Sequence, residues 1–459
     1  MSESQTLIKV AVCNVAHLLS GKGIKTEDQG YINGQLSIPE YQRPYVWGEK
    51  QINKLINDLK DHKEQFTNSP YYLGSVILHA QDGCLNIIDG QQRLTTLTLL
   101  GYLNSQLNNV SLTYQASVSI QHIKQNLQYL EKIRSKWERY IDFENIVMSL
   151  VVTESEDDAY KFFETQNTGG VRLTGPDIIK AHHLRAVPVD YRNHYAKEWE
   201  GLGELQSIVM TLLRGRYWSS LKGRIVPFYQ EKQKIRDEIV EEFASRTLKN
   251  QDDIAYGFIR VTYTPMTKQT KQALQNSYQL RQPLNEGINT ISYMEYFQSL
   301  YIKYYKELKV SYLPEYCKFI NWLKEQEGCR FLEELFVAGL MLYISQFGEY
   351  KLDVFAKKLF RMAYSKRVSN KKSVRANSIP EFLREHKILD YIAYSFTPEQ
   401  VFEGLDCFTL KVDQDGINEN TVKRHFIDEV NTYFELGISS SQYAEKFAEQ
   451  LSQKIRNLG

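Results

Sequence analysis

Five consecutive polar residues, Asp89-Gly90-Gln91-Gln92-Arg93, are the part of this sequence best suited to chemistry. Leucines recur at helical spacing after them, so they should form the start of a helix, where backbone N–H groups attract anions. Gly90 lacks the Cβ atom that would keep a phosphate away from the backbone. Arg93 could hold that phosphate through charge-assisted hydrogen bonds, and Asp89 could bind a divalent metal ion. The two glutamine amides could position phosphate oxygens or an attacking water, so this pentad indicates phosphoryl chemistry.

A structural explanation of the pentad stays open at this point. An aspartate commonly caps the N-terminus of a surface helix, and the glycine beside it then needs no ligand. A polar loop of five residues is only moderately specific for a function. The choice between the two explanations depends on the rest of the sequence.

The segments around the pentad predict a hairpin that leads into a helix. Residues 72–79 are typical of a strand, residues 81–83 of a tight turn, and residues 85–88 of a buried returning strand. Upstream, an amphipathic helix should begin near Glu49, because the apolar positions that follow it have helical spacing. The pentad is therefore predicted to lie between the end of a strand and the N-terminus of a helix.

A second group of candidate residues lies in the segment 38–47, where three aromatic rings surround one arginine. The rings of Tyr45 and Trp47 could stack on a base, Arg43 could reach a phosphate, and Gln42 could bind a base edge or a sugar hydroxyl. The structural alternative is that these aromatic residues are partly buried and that Arg43 extends over them. Taken alone, this segment favours the structural alternative.

A third group lies in the segment 162–180, whose turn residues describe a strongly shaped loop followed by a new helix. Glu164, Asn167, Asp177 and Lys180 are candidates for a metal, ribose or phosphate shell. The alternative is a helix–loop–helix corner in which the asparagine and the aspartate only cap backbone groups. The two histidines that follow are adjacent, so they lack the i, i+4 spacing of a zinc-binding helix.

Together these segments resemble the N-terminal domain of the GmrS-type restriction family, part of the wider ParB/sulfiredoxin-like superfamily. The resemblance covers roughly the first 185 residues and is carried by four motifs in register. These are I-P-x-Y-Q-R-x-Y-x-W at 38–47, Y-x-L-G-S at 71–75, I-D-G-Q-Q-R-L-T-T-L at 88–97 and F-E-x-x-N-x-G-G-x-x-L-x-x-x-D-I-I-K at 163–180.

The resemblance implies an α/β domain that hydrolyses nucleoside triphosphates with a divalent metal such as Mg²⁺. The catalytic residues it implies are Asp89, Gln91, Gln92 and Arg93, with Asp89 also binding the metal. The nucleotide-binding residues it implies are Gln42, Arg43, Tyr45, Trp47, Gly90, Thr95, Glu164, Asn167, Asp177 and Lys180.

The resemblance further implies a modification-dependent restriction or phage-defence system that attacks modified double-stranded DNA. In this family an HNH-type nuclease with a His-x-x-Pro core lies on the same chain or on a partner. The histidines at 386 and 425 have no following proline, so we expect a separate nuclease subunit and no DNA cleavage by this chain alone. Self-association is left open.

Two other functions compete with a nucleoside triphosphatase. A nucleotide-gated DNA clamp of the ParB type would use the same pocket, but it needs a DNA recognition helix that the second half does not clearly show. A sulfiredoxin-like reductase needs a cysteine in the phosphate-binding loop, and the pentad has none. Cys84 lies one strand earlier and is expected to be buried.

The composition is that of a folded, nearly neutral protein with 56 basic and 55 acidic side chains. Any nucleic-acid contact must therefore come from a local basic patch. The five cysteines are odd in number and widely spaced, which argues against a disulfide framework and favours the cytoplasm. The longest apolar run is about half a membrane-spanning length, so no membrane partner is expected.

The length of 459 residues favours two or three domains. With the predicted elements and the resemblance, we expect an α+β architecture of two domains, a ParB/sulfiredoxin-like α/β nucleotide-binding domain followed by a mostly helical one. The first, residues 1–200, carries the motifs above, and the second, residues 201–459, is predicted to be mostly helical. Within the second, residues 357–375 contain eight basic and no acidic side chains. This segment could contact DNA phosphates, dock an acidic patch on the nuclease partner, or form a solvated helix end. Its candidate contact residues are Lys366, Arg367, Lys371, Lys372 and Arg375.

Overall fold

A computed structural model describes residues 8–39, 41–66, 69–105, 112–114, 117–156, 158–159, 162, 174–218, 231–257, 259–274, 278–370, 374–417 and 421–458. The chain forms two compact units. The first comprises Met1–Leu173 and Val189–Glu200, and the second comprises Thr174–Pro188 and Gly201–Gly459. Residues 174–188 therefore pack with the second unit before the chain returns to the first.

A five-stranded mixed sheet forms the centre of the first unit. Its strands, in the order in which they are hydrogen-bonded, are β1 (Ile8–Asn14), β7 (Ile146–Thr153), β5 (Tyr71–Gln81), β6 (Cys84–Asp89) and β4 (Gln35–Ser37). The pairs β1–β7 and β5–β6 are antiparallel, whereas β5–β7 and β4–β6 are parallel. Two further short strands, β2 (Ile24–Lys25) and β3 (Tyr31–Ile32), pair with each other.

The predicted hairpin and the predicted amphipathic helix are both confirmed. The turn between β5 and β6 has positive φ angles at Asp82 and Gly83, as the tight turns of hairpins require. The amphipathic helix is α2 (Glu49–Gln65), and its apolar stripe is buried in the core of this unit. The remaining helices of the first unit are α1 (Val15–Leu19), α3 (Gln91–Leu103), α4 (Ser117–Lys132), α5 (Arg134–Trp137) and α7 (Val189–Gly201).

The second unit is mostly helical, as its sequence pattern predicts. Its helices are α6 (Gly175–Ala186), α8 (Gln206–Tyr217), α9 (Lys232–Val240), α10 (Ile288–Tyr301), α11 (Pro314–Lys324), α12 (Arg330–Phe347), α13 (Leu352–Ala363), α14 (Ser365–Ser369), α15 (Ser378–His386), α16 (Ile388–Tyr394), α17 (Pro398–Asp406), α18 (Val422–Tyr433) and α19 (Tyr443–Arg456). One hairpin, β8 (Ile259–Thr264) and β9 (Gln269–Leu274), was not predicted. Its side chains are exposed wherever they are described. The sequence did carry a strand pattern, because apolar residues alternate with polar ones in β8 at Ile259, Val261 and Tyr263.

All five cysteines are free, as expected from their spacing. Cys84 is half-buried and not fully buried, because it lies at the first position of β6 beside the turn. Among the described residues, no helix combines the length and the apolar character needed to cross a bilayer.

The second unit contains a fully buried histidine on α6. Nδ1 of His183 accepts a hydrogen bond from the backbone N–H of Gly287 at 3.1 Å, so Nε2 carries the proton and donates to the carbonyl of Phe243 at 2.7 Å. Burial, together with the neighbouring His182, lowers the pKa of His183 to about 3. The neutral imidazole is thus part of the packing of this unit.

We expect the second unit to lose stability as the pH falls below the ordinary histidine pKa of 6.5. In this range the unfolded chain binds a proton that the folded chain excludes, so the free energy of unfolding should fall by about 2 kcal/mol between pH 6.5 and 5. Urea denaturation at these pH values measures the change. His183→Gln should remove this part of the slope, whereas His194→Gln, at an exposed histidine, should keep it. Equal slopes in both variants would contradict the prediction.

Candidate functional site

The pentad joins β6 to α3, as its sequence position predicts, and Gly90 is the residue at which the chain turns. Gly90 has φ +97° and is the N-cap of α3. A Cβ atom at this position would lie 2.8 Å from Cγ2 of Val76, on the adjacent strand β5. Glycine is therefore required here by the left-handed backbone and by contact with Val76. This is a different reason from the close approach of a phosphate that the sequence suggested.

Asp89 and Arg93 form an ion pair that is held against β5. Nη2 of Arg93 lies 2.9 Å from Oδ2 of Asp89, and the guanidinium also donates to the carbonyls of Leu73 and Ser75 at 3.1 and 2.8 Å. Gly74 leaves the space for this guanidinium, since a Cβ there would lie 2.6 Å from Nη1. Arg93 thus uses its donors on the protein's own backbone, where they stabilise the start of α3.

Gln92 holds the aromatic segment that precedes α2. Its Oε1 accepts hydrogen bonds from the backbone N–H groups of Val46 and Trp47 at 2.9 and 3.3 Å, and its Nε2 donates to the carbonyl of Pro44 at 3.1 Å. The side chain is buried, at 6 % exposure. Both ends of this amide are therefore occupied, and Gln92 acts as a positioning residue.

Several residues predicted to contact a nucleotide are instead part of the packing. Tyr45 is fully buried, and its hydroxyl bonds to Thr96 and accepts from Asn126. Burial raises the pKa of this phenol. Thr95 is also buried and bonds to the hydroxyl of Tyr114 at 2.6 Å. Neither side chain lines the cavity described below, so a nucleotide contact of Tyr45 or Thr95 stays a prediction that this packing does not favour.

The ring of Trp47 is only partly buried, and it packs on the core of the first unit. The backbone of Trp47 is fixed at both ends, since its N–H donates to Gln92 and its carbonyl accepts from Asn126 at 2.7 Å. Tyr45 and Trp47 therefore both have a structural role, Tyr45 through its burial and Trp47 through its packing and its backbone hydrogen bonds.

A cavity of about 350 Å³ opens in the first unit beside the edge strand β4. One wall is the segment around Gln42 and Arg43, and another contains Asn86 of β6 and Gln91 of α3. Nε2 of Gln42 donates to the carbonyl of Ile88 at 2.8 Å, which ties the first wall to β6. The volume lies within the range of small-ligand sites. Two of the motifs that the sequence analysis singled out thus meet at one cavity.

Gln91 differs from its neighbour Gln92 in its surroundings. The side chain is buried at 5 % exposure and lines the cavity, yet within the described part of the chain no group hydrogen-bonds to its Oε1. A buried amide oxygen without a partner costs on the order of 1–3 kcal/mol. Because the residue lines a cavity, this oxygen is a candidate acceptor for a ligand or a bound water.

The members of the pentad do not all reach this cavity. Gln91 lines it, whereas Asp89 and Arg93 are absent from its walls. The register of β6 against β5 shifts between these residues, because His79 pairs with Asn86 and Leu78 with Ile87, whereas Ile77 pairs with Asp89. The extra residue in β6 is a β-bulge, which bends the strand between the part that lines the cavity and Asp89. A contiguous sequence motif is therefore divided between one residue that lines the cavity and residues that hold the loop.

The third segment contributes little to the described part of the site. Glu164 and Asn167 lie outside the described residues. Asp177 belongs to the second unit, where its Oδ2 accepts hydrogen bonds from the N–H and hydroxyl of Thr174 in a capping box at the start of α6. Lys180, on the same helix, is buried. The capping alternative describes Asp177 correctly.

The basic segment of the second unit is less exposed than its charge suggests. Lys358 is buried and bonds to both carboxylate oxygens of Asp406 at 2.9 and 2.7 Å, and Arg367 is buried as well. Because Arg367 is buried, its contact with DNA or with a partner stays a prediction that this structure does not favour. Arg375 is exposed, Lys366 is half-buried beside the ring of Phe382, and Lys371 and Lys372 lie outside the described residues.

Comparison with protein families agrees with the motifs. Residues 24–184 match the model of the GmrSD restriction endonuclease N-terminal domain. This chain carries a GmrSD-type N-terminal domain. Residues 191–421, just over half of the chain, match a family of unknown function, DUF7834, to which the chain therefore belongs. No curated protein shows significant similarity to it.

The GmrSD-type match ends before α7, and sequence reasoning gave this helix no role. Yet six residues of α7 line the cavity: Val189, Arg192, Asn193, Ala196, Lys197 and Glu200. Their spacing corresponds to one face of a helix, but the face is largely polar, so a search for apolar periodicity does not find it. The sequence pattern that could have pointed to this face is the arginine, asparagine and lysine at positions i, i+1 and i+5.

Proposed function

We propose that the GmrSD-type unit binds a nucleoside triphosphate in the cavity beside β4 and hydrolyses it. The observation that carries the proposal is Gln91, a buried amide whose oxygen has no hydrogen-bond partner among the described residues, in the wall of a cavity that Arg43 also lines. An arginine can bind phosphate oxygens bidentately, and an amide can accept from a water or a sugar hydroxyl and donate to an oxygen. These are the groups that a polyphosphate ligand requires.

In this proposal the Oε1 of Gln91 accepts a hydrogen bond from the attacking water and orients it toward the γ-phosphorus. The water oxygen forms the new P–O bond as the bond between the γ-phosphorus and the β-γ bridging oxygen breaks. The products are a nucleoside diphosphate, inorganic phosphate and a proton. Such a reaction depends mainly on positioning and charge stabilisation. Asp89, Gln92 and Arg93 act by holding the loop that presents Gln91.

The described residues offer few ligands for the divalent metal that this chemistry implies. Among the described residues there is no cluster of three or more histidine, cysteine, aspartate or glutamate side chains that could hold an ion. Oδ2 of Asp89 is paired with Arg93, which leaves at most its other oxygen for a metal. Mg²⁺ is commonly bound by one or two carboxylates together with substrate phosphates, and it neutralises their charge. We therefore propose that the ion binds with the nucleotide, and Asp89 stays a candidate ligand.

At the level of the system, we propose an NTP-hydrolysing sensor or motor subunit of a modification-dependent restriction or phage-defence system. The match to a restriction endonuclease domain supports this proposal. A ParB/sulfiredoxin-like architecture of the first unit, action on modified double-stranded DNA and a separate HNH-type nuclease are parts of the same proposal. Lys366 and Arg375 remain candidates for contact with DNA or with the nuclease.

We expect the purified chain to hydrolyse at least one of the four ribonucleoside triphosphates in the presence of Mg²⁺, and to stop when the ion is chelated. Phosphate release measures turnover, and incubation with glucosylated or phosphorothioate DNA tests cleavage. The chain alone should leave this DNA intact, because a hydrolytic nuclease needs an activated water and a general base, and no H-x-x-P motif is present in the sequence.

A chelated sample is the control for this experiment, and Arg93→Ala tests the loop, with an expected fall in turnover because Arg93 anchors the start of α3 on β5. Because the Arg93 guanidinium also donates hydrogen bonds to backbone carbonyls of β5, the thermal stability of this variant must be measured together with its turnover. Absence of both binding and turnover with all four nucleotides would contradict the proposal. Binding without turnover, in the presence of DNA, would favour a nucleotide-gated clamp instead.

A further inference from the structure

Helix α7 forms one wall of the cavity through a face that is chemically unusual. The six lining residues are spaced as neighbours on a single helical face. A face that packed on a protein core at this spacing would be apolar. Here it carries Arg192, Asn193, Lys197 and Glu200, which is the composition of a face turned toward water or a polar ligand.

The cations of this helix line the same cavity as the amides of Gln42 and Gln91. Arg43, Arg192 and Lys197 are the basic side chains that line it, and Glu156 and Glu200 are the acidic ones. The basic side chains are thus in excess, and two of the three come from α7. Arginine and lysine in a partly enclosed site bind phosphate oxygens through charge-assisted hydrogen bonds, which are stronger than bonds between neutral groups.

The unpaired amide of Gln91 is the independent sign that this cavity takes a ligand. Gln91 belongs to α3 and α7 lies about 100 residues later in the chain, so two distant segments converge on one space. The GmrSD-type match covers α3 but ends before α7, and the DUF7834 match begins within α7. The wall formed by α7 therefore lies outside the GmrSD-type match.

We propose that α7 completes the nucleotide site, with Arg192 and Lys197 binding the polyphosphate of the ligand. This inference rests on the proposed function and deepens it. Gln91 and Gln42 then face the neutral, hydroxyl-bearing part of the ligand or the attacking water, and α7 faces its charge. The ligand class is a small molecule with at least two linked phosphates.

The test compares charge-reversal variants in the full chain. Binding of Mg·ATP, Mg·GTP, Mg·CTP and Mg·UTP is measured by calorimetry for the unchanged chain, for Lys197→Glu and for Arg192→Glu. Lys50→Glu on α2 is the matched control, because Lys50 is exposed and does not line the cavity. Lys197 is also exposed, so its replacement should not disturb folding, which thermal unfolding of each variant checks.

We expect Lys197→Glu and Arg192→Glu each to raise the Kd of the bound triphosphate by at least about tenfold, and Lys50→Glu to leave it unchanged. The corresponding monophosphate should lose less affinity, and tripolyphosphate should compete with the triphosphate in the unchanged chain only. If Arg192→Glu unfolds, Lys197→Glu still decides the outcome.

Two negative results have different meanings. If the unchanged chain binds none of the four nucleotides, the proposed function and the role of α7 both fail. If the unchanged chain binds a triphosphate and Lys197→Glu binds it with the same Kd and the same dependence on salt, only the role of α7 is overturned.

Discussion

Gln91→Met is expected to lower nucleoside triphosphate turnover by about 10²-fold or more while leaving the first unit as stable as before. Methionine keeps the length of the side chain and removes its amide. Because Oε1 of Gln91 has no hydrogen-bond partner among the described residues, this change gives up no hydrogen bond of that oxygen in the folded chain. The loss should therefore appear in catalysis and not in the free energy of unfolding.

Gln92→Met is the matched control, because the two residues are adjacent and undergo the same chemical change. The Gln92 amide serves two backbone N–H groups and one carbonyl, and all three lose their partner. We expect a destabilisation of about 2–3 kcal/mol. Phosphate release and urea denaturation of both variants distinguish the roles. Equal loss of turnover and equal loss of stability would contradict the assignment of Gln91 to the ligand and Gln92 to the loop.

Gly90→Ala is expected to destabilise the first unit by about 3 kcal/mol. One part comes from a left-handed backbone that alanine rarely adopts, and the other from a Cβ placed 2.8 Å from Cγ2 of Val76. Hydrogen exchange of peptides from β6 and α3 measures the local effect. Turnover should fall as well, since the start of α3 presents Gln91.

Gly83→Ala separates the two parts of this cost. Gly83 also has a positive φ, +77°, but a Cβ there would have no atom within 4 Å. It should therefore cost only the backbone part, about 1–2 kcal/mol. In the double variant with Val76→Ala, the effect of Gly90→Ala should shrink toward that value. If both glycine variants had the same effect, contact with Val76 would be irrelevant.

Much of the first unit follows from patterns that are local in the sequence. The alternation in 72–79 and 85–88, the Asp-Gly turn between them and the helical spacing after Glu49 each depend on residues within one or two turns of each other. The four motifs likewise identified the GmrSD-type domain, because their order and spacing are a property of the sequence itself. For the same reason the mostly helical character of the second unit could be predicted.

Only the tertiary structure decided which residues of each element line the cavity. Asn86 and Asp89 lie on one short strand, yet only Asn86 lines the cavity, and Gln91 and Gln92 lie on one helix with different surroundings. Arg367 carries a charge that suggests a DNA surface, yet it is buried. The physical reason is that the periodicity of apolar residues in a segment specifies its secondary structure and its possible faces. The residues that pack against each face come from parts of the chain tens of positions away. Helix α7 shows this most directly, since its polar face acquires a chemical meaning only from the cavity that β4, β6 and α3 form opposite it.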